Sequence, residues 1–198
     1  MFPDSKHEGL QNEQSSLKLW ESLCEGNQKA LNKLFRLYYE SLYDYGIKFI
    51  ADSEVVKDGI QKLFLRLWRR HKALSQAQSV EAYLLFSLRR ILLRMKKNRR
   101  SRIKRNKLYL DKTFSSSFSA EEIIISGELK EEKKKKLLEA INALNGRQKE
   151  ALFLRYYHGL SNSEIAHVMD INRQSVRNHL SRAIKSLRTL LNNMPWIN

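Results

Sequence analysis

The side chains in this sequence best placed to do chemistry are hydrogen-bond donors and acceptors, with no nucleophile in a reactive setting. Residues 173–185 read RQSVRNHLSRAIK. On a helix, Val176, Leu180, Ile184, Leu187 and Leu191 fall on one apolar stripe. The opposite face then carries Arg173, Gln174, Arg177, Asn178, Ser181 and Lys185. Arginine pairs bidentately with guanine, and asparagine or glutamine with adenine. A helix that presents them near its start is equipped to read base edges in a major groove.

A second group serves a different chemistry. From Arg89 to Lys107 the chain reads RRILLRMKKNRRSRIKRNK, with eleven Lys or Arg in nineteen residues and no acid. Arg90, Arg94, Lys96, Lys97, Arg99 and Arg100 are suited to phosphates, and uncompensated cations at this density repel one another unless a polyanion is present. Tyr83, just upstream, is either a core ring or a stacking platform for an unpaired base. The formal charge of +16 agrees with a nucleic-acid or acidic-surface partner.

Catalytic constellations are missing. His7, His71, His158, His167 and His179 are scattered, with no pair at metal-ligand spacing, and Cys24 is the single cysteine. No glycine-rich phosphate loop and no nucleophile elbow occurs. The expectation is a protein that is not an enzyme and uses no metal or cofactor. The polar start MFPDSKHEGLQNEQSS lacks a secretory leader, and no apolar run approaches the roughly 20 residues of a membrane span. A cytoplasmic protein with no direct membrane insertion is expected.

These side chains need helices to position them. Two prolines, seven glycines and 42% hydrophobic residues favour a folded helical chain over a disordered one or a turn-rich sheet. Residues 1–16 are expected to be disordered and 17–105 to form a helical domain. Its stripes are Leu31, Leu34, Phe35, Tyr38 and Leu42, then Ile60, Leu63, Phe64, Leu67 and Trp68, then Tyr83, Leu84, Leu88, Ile91 and Leu92. Residues 106–130 read as a flexible linker and 131–192 as a second helical domain. The fold class is therefore all-α, two helical domains joined by a flexible linker, the C-terminal one a helix-turn-helix. Gly159 closes one helix of that domain. Ser161 and Glu164 form a capping box for the next, Asp170-Ile171-Asn172 turn the chain, and Asn172 caps the last.

The segments LNGRQKEALFLRYYHGLSNSEIA and SVRNHLSRAIKSLR resemble the promoter-reading domain of the extracytoplasmic-function (group 4) sigma factors of bacterial RNA polymerase, in the sigma-70 family. The resemblance extends to DGIQKLFLRLW, residues 58–68, and to EAYLLFSLRRILLRMKKNRR, so it covers about residues 17–192. It implies an alternative sigma factor whose N-terminal domain docks on the polymerase clamp and opens the −10 element. Its C-terminal domain would read −35 duplex and touch the polymerase flap. On the matching positions, Arg173, Gln174, Ser175, Arg177, Asn178, Ser181 and Arg182 would contact −35 DNA. Asp58, Gln61 and Lys62 would contact the clamp, although the family usually has an acid where Lys62 stands. Tyr83, Arg90, Arg94, Lys96, Lys97, Arg99 and Arg100 would hold −10 DNA, with Arg90 replacing the family's usual asparagine. An anti-sigma factor is a further implied partner. About 25 extended residues reach up to roughly 80 Å. Two DNA elements a turn and a half apart are separated by about 50 Å, so the linker can serve both.

Overall fold

The computed structural model describes the backbone of residues 5–103, 114 and 131–192, and within these the side chains of 14–97, 114 and 135–189. The chain divides into two compact units, Met1–Lys107 and Leu108–Asn198, and every regular element among the described residues is helical.

The first unit contains α1 (Ser5–Cys24), α2 (Gln28–Phe49), α3 (Ser53–Arg69), a short 3-10 turn (His71–Ala73) and α4 (Val80–Ile103). Short polar side chains start three of these helices, since the first backbone N–H groups of a helix lack intrahelical partners. Asn27 Oδ1 accepts from Lys29 and Ala30, Asp52 from Val55, and Ser79 Oγ from Ala82. The core gathers Trp20, Leu34, Tyr45, Phe49, Ile60 and Leu88 from all four helices.

Two glycines let the helices approach closely. A Cβ on Gly46 would lie 2.5 Å from Val56 Cγ1, and one on Gly59 would lie 2.8 Å from Leu92 Cδ2. Gly46→Ala gains up to about 1 kcal/mol of helix propensity. Val56 is β-branched and stiff, and overpacking a close contact of this kind costs about 1–3 kcal/mol. We expect a net loss of about 1–2 kcal/mol in urea titration; an unchanged or raised midpoint would mean that α2 and α3 pack less tightly.

The structure corrects several expectations in this unit. α1 begins at Ser5, inside the stretch 1–16 read as disordered, and Ser16 is buried where its hydroxyl accepts from Tyr38 Oη at 2.8 Å. Phe35, placed on a buried stripe, is 38% exposed. The inward face of α2 keeps Leu34 and Leu42 but turns toward Ala30 and Tyr45, and Phe35 meets Phe64 edge-on at 5.1 Å instead. Trp68 is likewise only half-buried.

The second unit contains α5 (Glu131–Ala143), α6 (Gly146–Tyr156), α7 (Asn162–Met169) and α8 (Arg173–Asn192). Capping boxes start α6 (Asn145 with Gln148) and α7 (Ser161 with Glu164). Gly159 has φ +66°, the left-handed geometry that suits glycine after a helix end. Asp170, at φ 56°, ends α7 in the same region, which short polar residues tolerate. Asn172 Oδ1 accepts from the Ser175 N–H at 2.7 Å, starting α8. Phe153, Leu154, Ile165, Val168, Val176 and Ala183 form the core. Leu180, Ile184 and Leu187 are half-buried, and the side chain of Leu191 lies outside the described residues. Phe114, in the stretch 106–130 read as linker, is buried with its ring centroid 5.8 Å from that of Phe153. At least one side chain of that stretch is thus part of a folded unit.

Candidate nucleic-acid interface

The short α7 and the turn at Asp170 deliver α8 with one face against the core and the other to solvent. Arg173, Gln174, Arg177, Asn178, Ser181, Arg182 and Lys185 are all exposed, while Ser175 is half-buried at the capped end. Gln174 Nε2 donates to Asn178 Oδ1 at 3.1 Å, so these two amides hold each other along the helix. The structure therefore brings together on one surface the residues expected to read base edges.

Beneath that face lies a charged cluster that sequence reasoning did not anticipate. Glu150 of α6 is completely buried, with Arg147 Nη1 3.7 Å from its Oε2. Arg147 Nη1 also donates to the Met169 carbonyl at 3.5 Å, at the end of α7. His179 of α8 is half-buried, and its pKa is lowered from 6.5, chiefly by burial and then by the Arg147 and Arg182 cations, with Glu150 opposing. The unfolded chain accepts a proton on this residue near pH 6.5, whereas the folded protein does so only at lower pH. The stability that follows is fully present above 6.5 and is lost as the pH falls below it. His179→Gln should flatten the pH dependence of amide-exchange protection in α8 between about pH 7.5 and about pH 5.5. An identical slope in the variant would place His179 in open solvent.

On α4 the residues separate. Arg90 and Arg94 are exposed, with the Arg90 guanidinium carbon 5.4 Å above the centroid of Phe86. Lys97 is exposed and Lys96 half-buried, and both make contacts within the protein. Arg89 departs further: it is buried, with its guanidinium carbon 5.4 Å over the ring of Phe49. The side chains of Arg99 and Arg100 fall outside the described residues. Tyr83 is half-buried and meets Trp20 edge-on at 4.8 Å, so it is neither a free platform nor a closed core residue. Trp20 Nε1 in turn donates to the Ser75 carbonyl at 3.0 Å, tying down the connection between α3 and α4.

The outward residues of α3 also separate. Asp58, Gln61 and Lys62 are exposed, and Lys62 Nζ lies 4.0 Å from Asp58 Oδ2 in a solvated pair worth at most about 1 kcal/mol. Asp58 and Gln61 border a groove of about 480 Å3 whose apolar lining includes Leu31, Phe35, Tyr39 and Leu65. Arg66, also exposed on α3, joins Arg70, Arg90 and Arg94 around a different cleft. The signal for that convergence was present only as the i,i+4 spacing of Arg66 with Arg70 and of Arg90 with Arg94.

Among the described residues no group of three or more His, Cys, Asp or Glu could hold a metal ion, and no helix is long and apolar enough to cross a membrane.

Two all-helical units, one of them a doubly capped helix-turn-helix with Arg, Gln and Asn exposed along its last helix, place the fold in the helix-turn-helix class of DNA-binding proteins. Residues 134–187 match the family described as Sigma-70, region 4. The chain is 28% identical over 179 residues to the ECF RNA polymerase sigma factor BldN of Streptomyces coelicolor, an alignment that covers 88% of this chain. It spans 65% of the length of that relative. The fold is similar to that of the sigma factor RpoE from Bartonella quintana, solved in complex with the anti-sigma factor NepR. That likeness has a TM-score of 0.60 at 18% identity and covers 83% of this chain and 98% of that one. It is also similar to CnrH, solved in complex with the cytosolic domain of CnrY, with a TM-score of 0.59 at 17% identity, covering 90% of this chain and 98% of the other. Residues 134–187 thus carry the Sigma-70 region 4 pattern, and the chain is similar over most of its length to an extracytoplasmic-function sigma factor.

Proposed function

We propose that this protein is an alternative sigma factor that binds the RNA polymerase core and directs initiation at particular promoters. In this reading residues 131–192 read −35 duplex and touch the flap, while residues 17–105 dock on the clamp and hold the opened −10 element. The intervening 106–130 tether the two. The single observation that carries the proposal is the open face of α8. Arg173, Gln174, Arg177, Asn178, Ser181 and Arg182 stand in solvent on a helix that is capped at its start and packed along its back. Asp58 and Gln61, beside an apolar groove, suit a clamp contact, with Lys62 as the altered position.

The energetics need no nucleotide hydrolysis. Bases released by strand separation are captured on protein surface, which favours the opened state. The work is done in the cytoplasm, with the polymerase. The relative RpoE binds an anti-sigma factor, and we infer a similar inhibitory partner here.

Run-off transcription with purified core enzyme on randomised promoters tests the proposal. Core plus this protein should initiate at a defined subset of sequences. If the protein shifts duplex DNA yet supports no initiation, it is a conventional repressor or activator. The division of labour has its own check. Arg177→Ala should change base preference within the −35 element by about 1–3 kcal/mol. Arg99→Ala should weaken binding to all sequences alike and flatten the salt dependence of binding. Equal, sequence-blind effects from both substitutions would contradict it.

A further inference from the structure

Two amides are joined on the open face of α8. Gln174 Nε2 donates to Asn178 Oδ1 at 3.1 Å, and both side chains are exposed. An amide pair one helical turn apart adds little to the stability of a helix. What it changes is the freedom of Gln174, a long side chain whose ordering otherwise opposes binding. The helix beneath is itself fixed. Asn172 Oδ1 accepts from the Ser175 N–H at 2.7 Å, and the fully buried Val176 and Ala183 set which face turns outward. Gln174 thus stands in the first turn of a capped helix, with its amide held in one orientation.

The chemistry that remains to this amide selects a base. A glutamine side chain carries a carbonyl acceptor and two N–H donors. One N–H of Gln174 is engaged by Asn178, which leaves the carbonyl and the second N–H side by side. In the major groove of a duplex, adenine presents the matching pair, an acceptor at N7 beside a donor at N6. Guanine shows two acceptors there, cytosine a lone donor and thymine a lone acceptor beside a methyl. Asn178, its carbonyl turned to Gln174, is poorly set for the same pairing. We propose that Gln174 reads one adenine of the −35 duplex, and that Asn178 is a positioning residue that holds Gln174 for this contact. The inference rests on the −35 role given above to α8. It divides two neighbours on one face into a residue that touches the base and a residue that acts through it.

Selection from randomised duplex DNA by the full-length protein, run with and without core enzyme, tests this division. The selected sequences should contain one position where adenine is preferred about tenfold, and Gln174→Ala should erase that preference. Asn178→Ala frees the glutamine and should weaken the preference at the same position by about two- to tenfold, the range expected for an unrestrained side chain. Asn178→Asp retains the acceptor, so it should keep the adenine preference while its added charge weakens binding to all sequences alike. A purely structural role for Asn178 would lower affinity without changing base preference at one position. The proposal is overturned if nothing is enriched, if Gln174→Ala leaves every position unchanged, or if the adenine preference survives Asn178→Ala intact. Loss of the preference in Asn178→Asp as well, or its loss at a position that Gln174→Ala does not affect, would make Asn178 a direct reader and overturn its positioning role. Run-off transcription keeps the two readings apart. A protein that initiates with core but shows no adenine position governed by Gln174 sinks this inference alone. One that selects adenine through both residues yet never initiates sinks the sigma reading.

Discussion

Trp20→Ala is expected to destabilise the N-terminal unit by about 3–5 kcal/mol, the usual cost of deleting a large buried aromatic side chain. Trp20 is 1% exposed and meets Tyr83 at 4.8 Å, so its loss leaves a cavity beside a residue that lines the arginine cleft. A second cost follows because the Ser75 carbonyl loses the indole donor at 3.0 Å. Trp20→Phe separates the two contributions. It retains ring volume in part and removes the N–H, and a typical net hydrogen bond contributes only about 1 kcal/mol. Domains of this size are stable by about 5–15 kcal/mol, so the alanine variant removes a large share of the total. The expected readout is a fall in the urea midpoint together with faster exchange of amides in 74–79. A loss below about 1 kcal/mol would mean that the site collapses to fill the void, and that the connection between α3 and α4 is held by other contacts.

What could be read from sequence, and what could not, follows from the range of the interactions. The helix-turn-helix was legible because its signals are local: a capping box spans three residues, and a left-handed helix end involves one. Ser161 with Glu164 and Asn172 with Ser175 interact as their spacing predicts. The box at Asn145 and Gln148 has the same local signature in N-G-R-Q. Contacts between helices left no such signal. Arg89 reads as one more cation in a basic run, yet its place on α4 turns it onto Phe49, where the ring face accommodates its charge. Phe35 reads as core, yet it lies at the edge of the buried face and borders the surface groove. Arg66 and Arg90 are 24 positions apart, and only the packing of α3 on α4 brings them to one cleft. Apolar periodicity identifies a helix, but the exact rotation of its buried face is set by close approaches such as those at Gly46 and Gly59.

The same distinction between local and tertiary signals makes Arg147 the most informative position in the C-terminal unit. Arg147 looks like a surface arginine, and its side chain is 38% exposed, whereas that of Glu150 is not exposed at all. The asymmetry decides which substitution costs more. Arg147→Ala leaves a buried carboxylate without the arginine cation beside it, and breaking a buried pair in this way costs about 3–5 kcal/mol. Half-exposure of the arginine and further contacts of Glu150 within the protein place the expected loss near the lower end of that range, about 3 kcal/mol. Glu150→Gln removes the charge itself and preserves volume, so it should cost less. The double variant should then be more stable than Arg147→Ala alone, because no charge remains stranded. Arg147 also reaches the Met169 carbonyl just before the turn into α8, so its loss should weaken duplex binding without any change in the outward side chains of α8. Urea titration of the four proteins in the cycle, with duplex binding measured beside it, provides the check. If Arg147→Ala costs less than about 1 kcal/mol, it behaves as an exposed pair. The orientation of α8 would then depend on its apolar face alone.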